Sequence, residues 1–277
     1  MASITDCVVE GLKYPFRDVK KLLGVGVLFA LLSALSTYAG FRSFGIFRAS
    51  VHIAEANNTG ITHVPFSQLP AGDIYLVAVL AVLSLIISLV IMGYQYKVVK
   101  FSIDKADELP GFDFPAVLVD GVKYFIAALA YNAVPSIVFM GGMELAGQSS
   151  AWPVIIAISG ILYIIANLLL IMALNNMIAH DSLKKAFDFS EIMANVSNLG
   201  WGKYVGIVIF TAIVMMIISV AVSFVLSLFS VIFAATINNQ ALAVSMAIAI
   251  IGGLFIDSYM SVFFSRVCGL IYRESIK

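Results

Sequence analysis

The chain has 277 residues, of which 61% are hydrophobic and 12% charged, with a mean hydropathy of +1.03. Soluble domains are about half apolar and a quarter charged, so this composition reads as an integral membrane protein with little length left for a soluble domain. A net charge of zero gives no bulk electrostatic case for nucleic acid, and two lone cysteines, Cys7 and Cys268, make neither a disulfide framework nor a zinc-spaced motif.

Ser3 is a helix N-cap with Asp6 three residues on. Ile4, Val8 and Leu12 then share one face, and Asp6, Glu10, Lys13 and Arg17 lie mostly on the other. The pattern predicts a short amphipathic helix lying in the membrane interface and ended by Pro15. Arg17, Lys20 and Lys21 precede the first span, Leu22 to Gly40. Its basic flank and small residues near Ser36 and Ala39 resemble a signal peptide, but the match of Glu10-Gly11-Leu12-Lys13-Tyr14 to later segments implies that the span is kept. Phe41 to Asp73 is expected to be a polar, irregular loop. It holds Arg42, Arg48, His52 and His63, the histidines as solvated residues, and a glycosylation sequon at Asn57-Asn58-Thr59.

The second span is Ile74 to Tyr94, followed by an acidic loop, Asp104 to Asp113, expected to be a solvated turn. Pro115 opens a second interfacial helix with Phe114, Val117, Leu118 and Val122 on its apolar face. The third span, Tyr124 to Gly142, contains Pro135, and Glu144 to Ala151 is a short loop. Trp152-Pro153 begins the fourth span, which runs to about Leu174. The third interfacial helix is capped by Ser190 or Asp188, with Phe189, Ile192, Met193 and Val196 on the apolar face and Asp188, Glu191, Asn195 and Asn198 on the polar one. Gly200-Trp201-Gly202 breaks it, with Trp201 at headgroup depth. The fifth span runs from Tyr204 to Ile237, more than a bilayer needs. Asn238-Asn239-Gln240 forms a tight turn, and the sixth span is Ala241 to about Ser265.

The fold expected is therefore all-α: six transmembrane helices as three hairpins, each preceded by a cytoplasmic interfacial helix. Fourteen of the sixteen Lys and Arg fall on the side of the termini, and only Arg42 and Arg48 on the other. That split places both termini in the cytoplasm of a multi-pass protein of the cell membrane.

Phe112-Asp113-Phe114 and Phe187-Asp188-Phe189 each precede a Lys-Tyr pair that opens a span, Lys123-Tyr124 and Lys203-Tyr204, and Lys13-Tyr14 repeats the pair. Residues 1–101, 102–181 and 182–277 are candidate parallel repeats, each of two spans. Convergent interfacial chemistry, which favours Lys and Tyr at that depth, is the competing explanation. Lys13-Tyr14-Pro15-Phe16-Arg17-Asp18, Asp107-Glu108-Leu109-Pro110-Gly111-Phe112-Asp113 and Val119-Asp120-Gly121 together resemble an uncharacterised multi-pass family of archaea and some bacteria, domain of unknown function 4013. The likeness is sharpest in the first 125 residues. It implies no activity and no catalytic residue.

Asp257 is the acid placed inside a span, and an ionisable group there is a functional candidate by default. Ser261, four residues on, is positioned to hydrogen-bond to it. Asn132 and Asn167 are expected at similar depth, so Asn132, Asn167 and Asp257 could form a polar layer, with Gly252-Gly253 and Pro135 loosening their helices as in transporter sites. The plainer reading has Asp257 hydrated at the interface and the two amides joining helices. The spans hold no histidine, HExxH, GxSxG or second intramembrane Asp, and the chain has no P-loop. No enzyme, cofactor or metal site is therefore expected. The leading function is an envelope scaffold or lipid-handling accessory, whose partners are the bilayer and either other membrane proteins or further copies of the chain. The alternative is a small-solute or ion transporter or channel subunit using the Asp257 layer.

Overall fold

The computed structural model describes residues 3–146, 150–236 and 241–277. The expected turn at Asn238-Asn239-Gln240 lies outside them. The described residues are helical throughout, with short connections and no strand. The helices are α1 (Ile4–Lys13), α2 (Val19–Ala56), α3 (Ala71–Ile103), α4 (Phe114–Ala146), α5 (Trp152–Ala179), α6 (Phe189–Leu199), α7 (Trp201–Thr236), α8 (Ala241–Ile251) and α9 (Ser258–Ser275). A π-helical stretch, Gly252–Asp257, joins α8 to α9. Six stretches are long and apolar enough to cross a membrane: Thr5–Ala56, Ala71–Ile103, Phe114–Leu145, Trp152–Ala179, Trp201–Phe229 and Leu242–Ser275.

The helices outrun the expected spans. α2 has 38 residues, about 57 Å at 1.5 Å per residue, against a hydrocarbon core of roughly 30 Å. The region expected as an irregular loop from Phe41 is therefore helical as far as Ala56. Its sequence carries charges but is proline-free and contains helix formers, Ala, Arg and Glu. The helix ends where Asn58 takes a left-handed φ of 52°, a backbone state that Asn tolerates and most residues do not. Similarly, α4 continues through Glu144 to Ala146, where a loop was expected.

The short helices differ in part from the expectation. α1 forms with its capping box, Ser3 Oγ accepting from the Asp6 amide at 3.1 Å and Asp6 accepting from Ser3 N at 2.8 Å. α6 is separate too: Asp188, rather than Ser190, caps it by accepting from Glu191 N at 3.2 Å. Gly200 breaks it from α7 with a φ of 88°, which costs a glycine little. Residues 114–123, in contrast, do not make a helix of their own. With Asp113 before it and Pro115 in its first turn, α4 runs unbroken from Phe114, carrying Pro135 within it. The expected apolar face of α6 is divided between buried and exposed residues. Ile192, Asn195, Val196 and Leu199 are buried, while Phe189 and Met193 are exposed.

The chain divides into two compact units: Met1–Leu22, Leu89–Ile217 and Met260–Lys277 in the first, Leu23–Ser88 and Ile218–Tyr259 in the second. In the first, α4 and α5 pack along each other, and α6 and a 3-10 turn, Leu183–Phe187, pack on α5. Its core is built from fully buried side chains that include Val98, Val117, Ala127, Met172, Met177, Ile178, Ile192, Ile207 and Phe263. Small residues let backbones touch. A Cβ on Gly93 would overlap the Val117 carbonyl oxygen, and one on Gly121 would overlap that of Leu89. The α3–α4 crossing therefore needs both glycines, the close-approach device common between membrane helices. In the second unit α2 meets the π-helical stretch in the same way: Gly26 sits against the Leu254 carbonyl and Gly253 against the backbone of Phe29 and Ala30. Gly252-Gly253, expected to loosen its helix, opens the π-helical stretch, and Gly253 is also a packing residue. Arg42 pairs with Asp73 at 2.9 Å and lies 5.8 Å from the centre of the Tyr38 ring.

Candidate functional site

Two of the four predicted site residues meet. Asn132 of α4 donates to the Ala128 carbonyl at 2.9 Å, and Asn167 of α5 to the Tyr163 carbonyl at 2.8 Å. Asn167 Nδ2 also reaches Asn132 Oδ1 at 3.3 Å, and one turn away Ser136 and Tyr163 share a hydroxyl hydrogen bond of 2.7 Å. The result is a polar seam along the α4–α5 contact. It lies toward the surface: Asn167 is exposed and Asn132 half-buried. Ser261 is engaged by Gln95, whose Nε2 donates to its hydroxyl at 2.8 Å, in place of the expected partnership with Asp257. Asp257 itself belongs to the second unit, where it is exposed at the last position of the π-helical stretch.

The densest polar chemistry lies where sequence reading expected a solvated turn. The loop after α3 is gripped from several sides. Tyr14 OH donates to the Glu108 carbonyl at 2.7 Å, Lys21 Nζ to that of Leu109 at 2.8 Å, and Tyr94 OH to that of Pro110 at 3.3 Å. Arg17 pairs with Asp107. From α9, Arg266 donates to the Ala106 carbonyl at 2.8 Å and to Glu10 of α1 at 2.6 Å, with its guanidinium 4.3 Å from the centre of the Tyr14 ring. Only 1% of Arg266 is exposed, which a charge tolerates only when paired and hydrogen-bonded. Lys13 to Asp18 and Asp107 to Asp113, two of the three segments that carried the family resemblance, are thus contact partners.

Tyr14 and Tyr204, expected as headgroup anchors, are instead buried in the protein, their hydroxyls donating to the carbonyls of Glu108 and Leu168. The two Phe-Asp-Phe segments share a docking arrangement. Tyr94 stacks on Phe112 with its hydroxyl on Pro110, and Tyr131 stacks on Phe187 with its hydroxyl on the Ala186 carbonyl at 2.7 Å.

Two further clusters flank the turn after α5. Asp181 accepts from Lys123 at 2.9 Å and from Tyr96 OH at 2.8 Å, and these bonds hold its carboxyl below the usual carboxylate range. Lys185 donates to Glu191 at 2.6 Å and to Asp188 at 3.0 Å. Those bonds lower both carboxyls and raise the Lys185 ammonium. Buried Asn176 donates to the Lys185 carbonyl at 3.0 Å and accepts from Tyr272 OH at 2.9 Å. Sequence reading placed Glu10 on the polar face of the first helix without a partner and singled out none of Asp181, Asn176 or Tyr272; an Asn among apolar neighbours was the one available signal. In all three clusters charged and amide groups hold backbone and one another. Among the described residues no three of His, Cys, Asp and Glu are grouped to hold a metal ion.

Helices long enough to cross a bilayer, bearing apolar side chains on their exposed faces and tied by polar groups at their ends, define a multi-pass membrane protein. The chain belongs to the family described as Protein of unknown function (DUF4013), which matches residues 76–227. That match includes Asp107–Asp113 and Val119–Gly121 and leaves Lys13–Asp18 outside it. The chain is also similar to the uncharacterized protein MJ1189 of Methanocaldococcus jannaschii, with 25% identity over 281 aligned positions that cover 95% of this chain and 94% of the relative. No solved structure matches the chain.

Proposed function

We propose that the chain is a non-enzymatic membrane protein of the cell envelope that handles or organises lipid at the cytoplasmic leaflet. It is folded as three helical hairpins, each led by an amphipathic segment, with both termini in the cytoplasm. The supporting observation is a set of exposed rings in the first unit: Phe16, Phe112, Phe114, Phe187, Phe189 and Trp201. Each stands near a helix end on the side where the sequence gathers its cations. Aromatic rings beside Lys and Arg partition to the boundary between headgroups and acyl chains. α6 makes the case sharpest, since Ile192, Val196 and Leu199 are buried in the protein while Phe189 and Met193 are exposed. A short helix with apolar residues on a second face has a second apolar neighbour, and at a membrane surface that neighbour is lipid.

Affinity purification from native membrane, with co-purified lipids and proteins identified, tests this reading. One lipid class is expected to be enriched over the bulk membrane, and the enrichment to fall in a Phe189→Ser, Met193→Ser variant. Bulk lipid composition in both samples would overturn it.

A second reading, a transporter or channel subunit, draws on one observation: Asp257 is an exposed acid closing a π-helical turn, a distortion frequent at functional sites. Solute or ion flux in proteoliposomes that Asp257→Asn abolishes would favour it over lipid handling.

A further inference from the structure

A cavity of about 220 Å³ lies within the first unit, between α3, α4, α5, α7 and α9. None of its lining residues carries a charge at neutral pH. Its polar side chains are the hydroxyls of Tyr124 and Ser265, the thiol of Cys268 and two amides on α5, Asn167 and Asn175, eight residues and so about 12 Å apart along the helix. Exposure differs between the two ends. Asn167 and, on α7, Ala212 are exposed, whereas Leu170, Leu174, Asn175 and Cys268 are buried. The cavity is thus a slot, open at the Asn167 end and closed at the Asn175 end.

Asn175 is 1% exposed, and its Nδ2 donates to the Ile171 carbonyl at 2.8 Å. That bond fixes which end of the amide is oxygen, and the oxygen, Oδ1, is buried with no hydrogen-bond partner. A buried acceptor left unpaired costs about 1–3 kcal/mol of desolvation, so its persistence beside a cavity asks for a donor that the chain does not supply.

We propose that the slot binds the polar end of a neutral long-chain alcohol, a lipid with a free hydroxyl and no charge, whose hydroxyl donates to Asn175 Oδ1 while its chain leaves past Asn167 and Ala212 into the bilayer. Three properties select this class. The buried, unpaired atom of the lining residue Asn175 is an acceptor, so the ligand brings a donor. An uncharged apolar wall excludes phosphate and ammonium headgroups, which would be desolvated there without a counter-charge. The volume is below the roughly 300–1,000 Å³ of a site that encloses a drug-sized molecule, so the slot holds one end of a ligand and leaves the rest outside. The inference rests on the lipid-handling reading and gives it a site and a substrate class.

The test uses the full chain in nanodiscs and octadecanol carrying a diazirine next to the hydroxyl. After photolysis, label is expected in residues 167–175 and 264–268, to be displaced by excess octadecanol, and to resist octadecane and octadecyl phosphate. Asn175→Leu should lower labelling about ten-fold, the order of one hydrogen bond to a buried acceptor. Because a core change can disturb folding, Ala212→Phe at the open end provides a second variant, expected to block labelling with its melting temperature unchanged. The proposal is overturned by label spread over all exposed faces, by equal displacement with octadecane or octadecyl phosphate, by unaltered labelling in both variants, or by a slot that takes only water. Slot labelling without enrichment from native membrane would keep the site and remove lipid handling. Enrichment without slot labelling would do the reverse.

Discussion

A guanidinium at 1% exposure has lost its hydration, and Arg266 recovers it from Glu10, the Ala106 carbonyl and the Tyr14 ring. Removing one member of a buried pair is costly because the other charge stays behind, about 3–5 kcal/mol in typical cases. Arg266→Ala is expected to fall in that range by thermal unfolding in detergent. Arg266→Lys should recover little of the loss, since an ammonium cannot reach Glu10 and Ala106 together while lying over a ring. None of this was legible in the sequence, where Glu10 stands 256 positions away and Arg266 reads as one more terminal cation. Asp181 carries the clearest pH dependence. Lys123 and then Tyr96 hold its carboxyl below the ordinary value, so it binds a proton more readily unfolded than folded. Its contribution is complete above the unfolded carboxylate value of about 4 and is lost as pH falls through the depressed folded value. Asp188 and Glu191, lowered by Lys185, act with the same sign. Melting temperature should drop as pH falls from 6 to 3, and Asp181→Asn should show a shallower drop from a lower starting point. An unchanged slope in that variant would remove Asp181 from the account.

Among the elements, the α3–α4 crossing depends most directly on single residues. At both Gly93 and Gly121 an added Cβ would strike a backbone carbonyl of the opposite helix, and a carbonyl, unlike the end of a side chain, moves only with its helix. Gly93→Ala and Gly121→Ala are each expected to lower the melting temperature clearly, whereas Gly24→Ala and Gly160→Ala, which would meet nothing within 4 Å, should be neutral or slightly stabilising through helix propensity. Equal melting of all four variants would show that the helices do not cross at those glycines. The sequence displayed Gly121 as part of Val119-Asp120-Gly121 but gave no reason for it, because a glycine in an apolar helix does not say which neighbour approaches. The short helices were legible to different degrees for a related reason. α1 has its capping box and α6 has Asp188 at one end and Gly200 at the other, whereas nothing between Phe114 and Tyr124 stops a helix, so an amphipathic stretch there continues into α4.

At the scale of the whole molecule, the six stretches able to cross a membrane were readable because crossing is decided by the composition of about 20 consecutive residues. The helix ends were not, because the charged and polar residues between Phe41 and Ala56, such as Arg42, Arg48, His52 and Glu55, mark departure from the hydrocarbon without ending hydrogen bonding along the chain. The proposed orientation follows from the cation distribution, fourteen Lys and Arg against Arg42 and Arg48. Both native thiols are buried, so introduced cysteines can be read against a low background. Thr59, in the exposed turn after α2, and Asp104 and Lys277, exposed after α3 and at the C-terminus, sample the two predicted faces. In intact cells a membrane-impermeant maleimide should label Thr59→Cys and spare Asp104→Cys and Lys277→Cys, which should react only after lysis. The inverse pattern would turn the molecule over and move the exposed ring of α6, Phe189, to the outer leaflet. Labelling of Asp104→Cys and Lys277→Cys from opposite sides would mean an odd number of crossings between them, which breaks the three-hairpin arrangement at α4 or beyond.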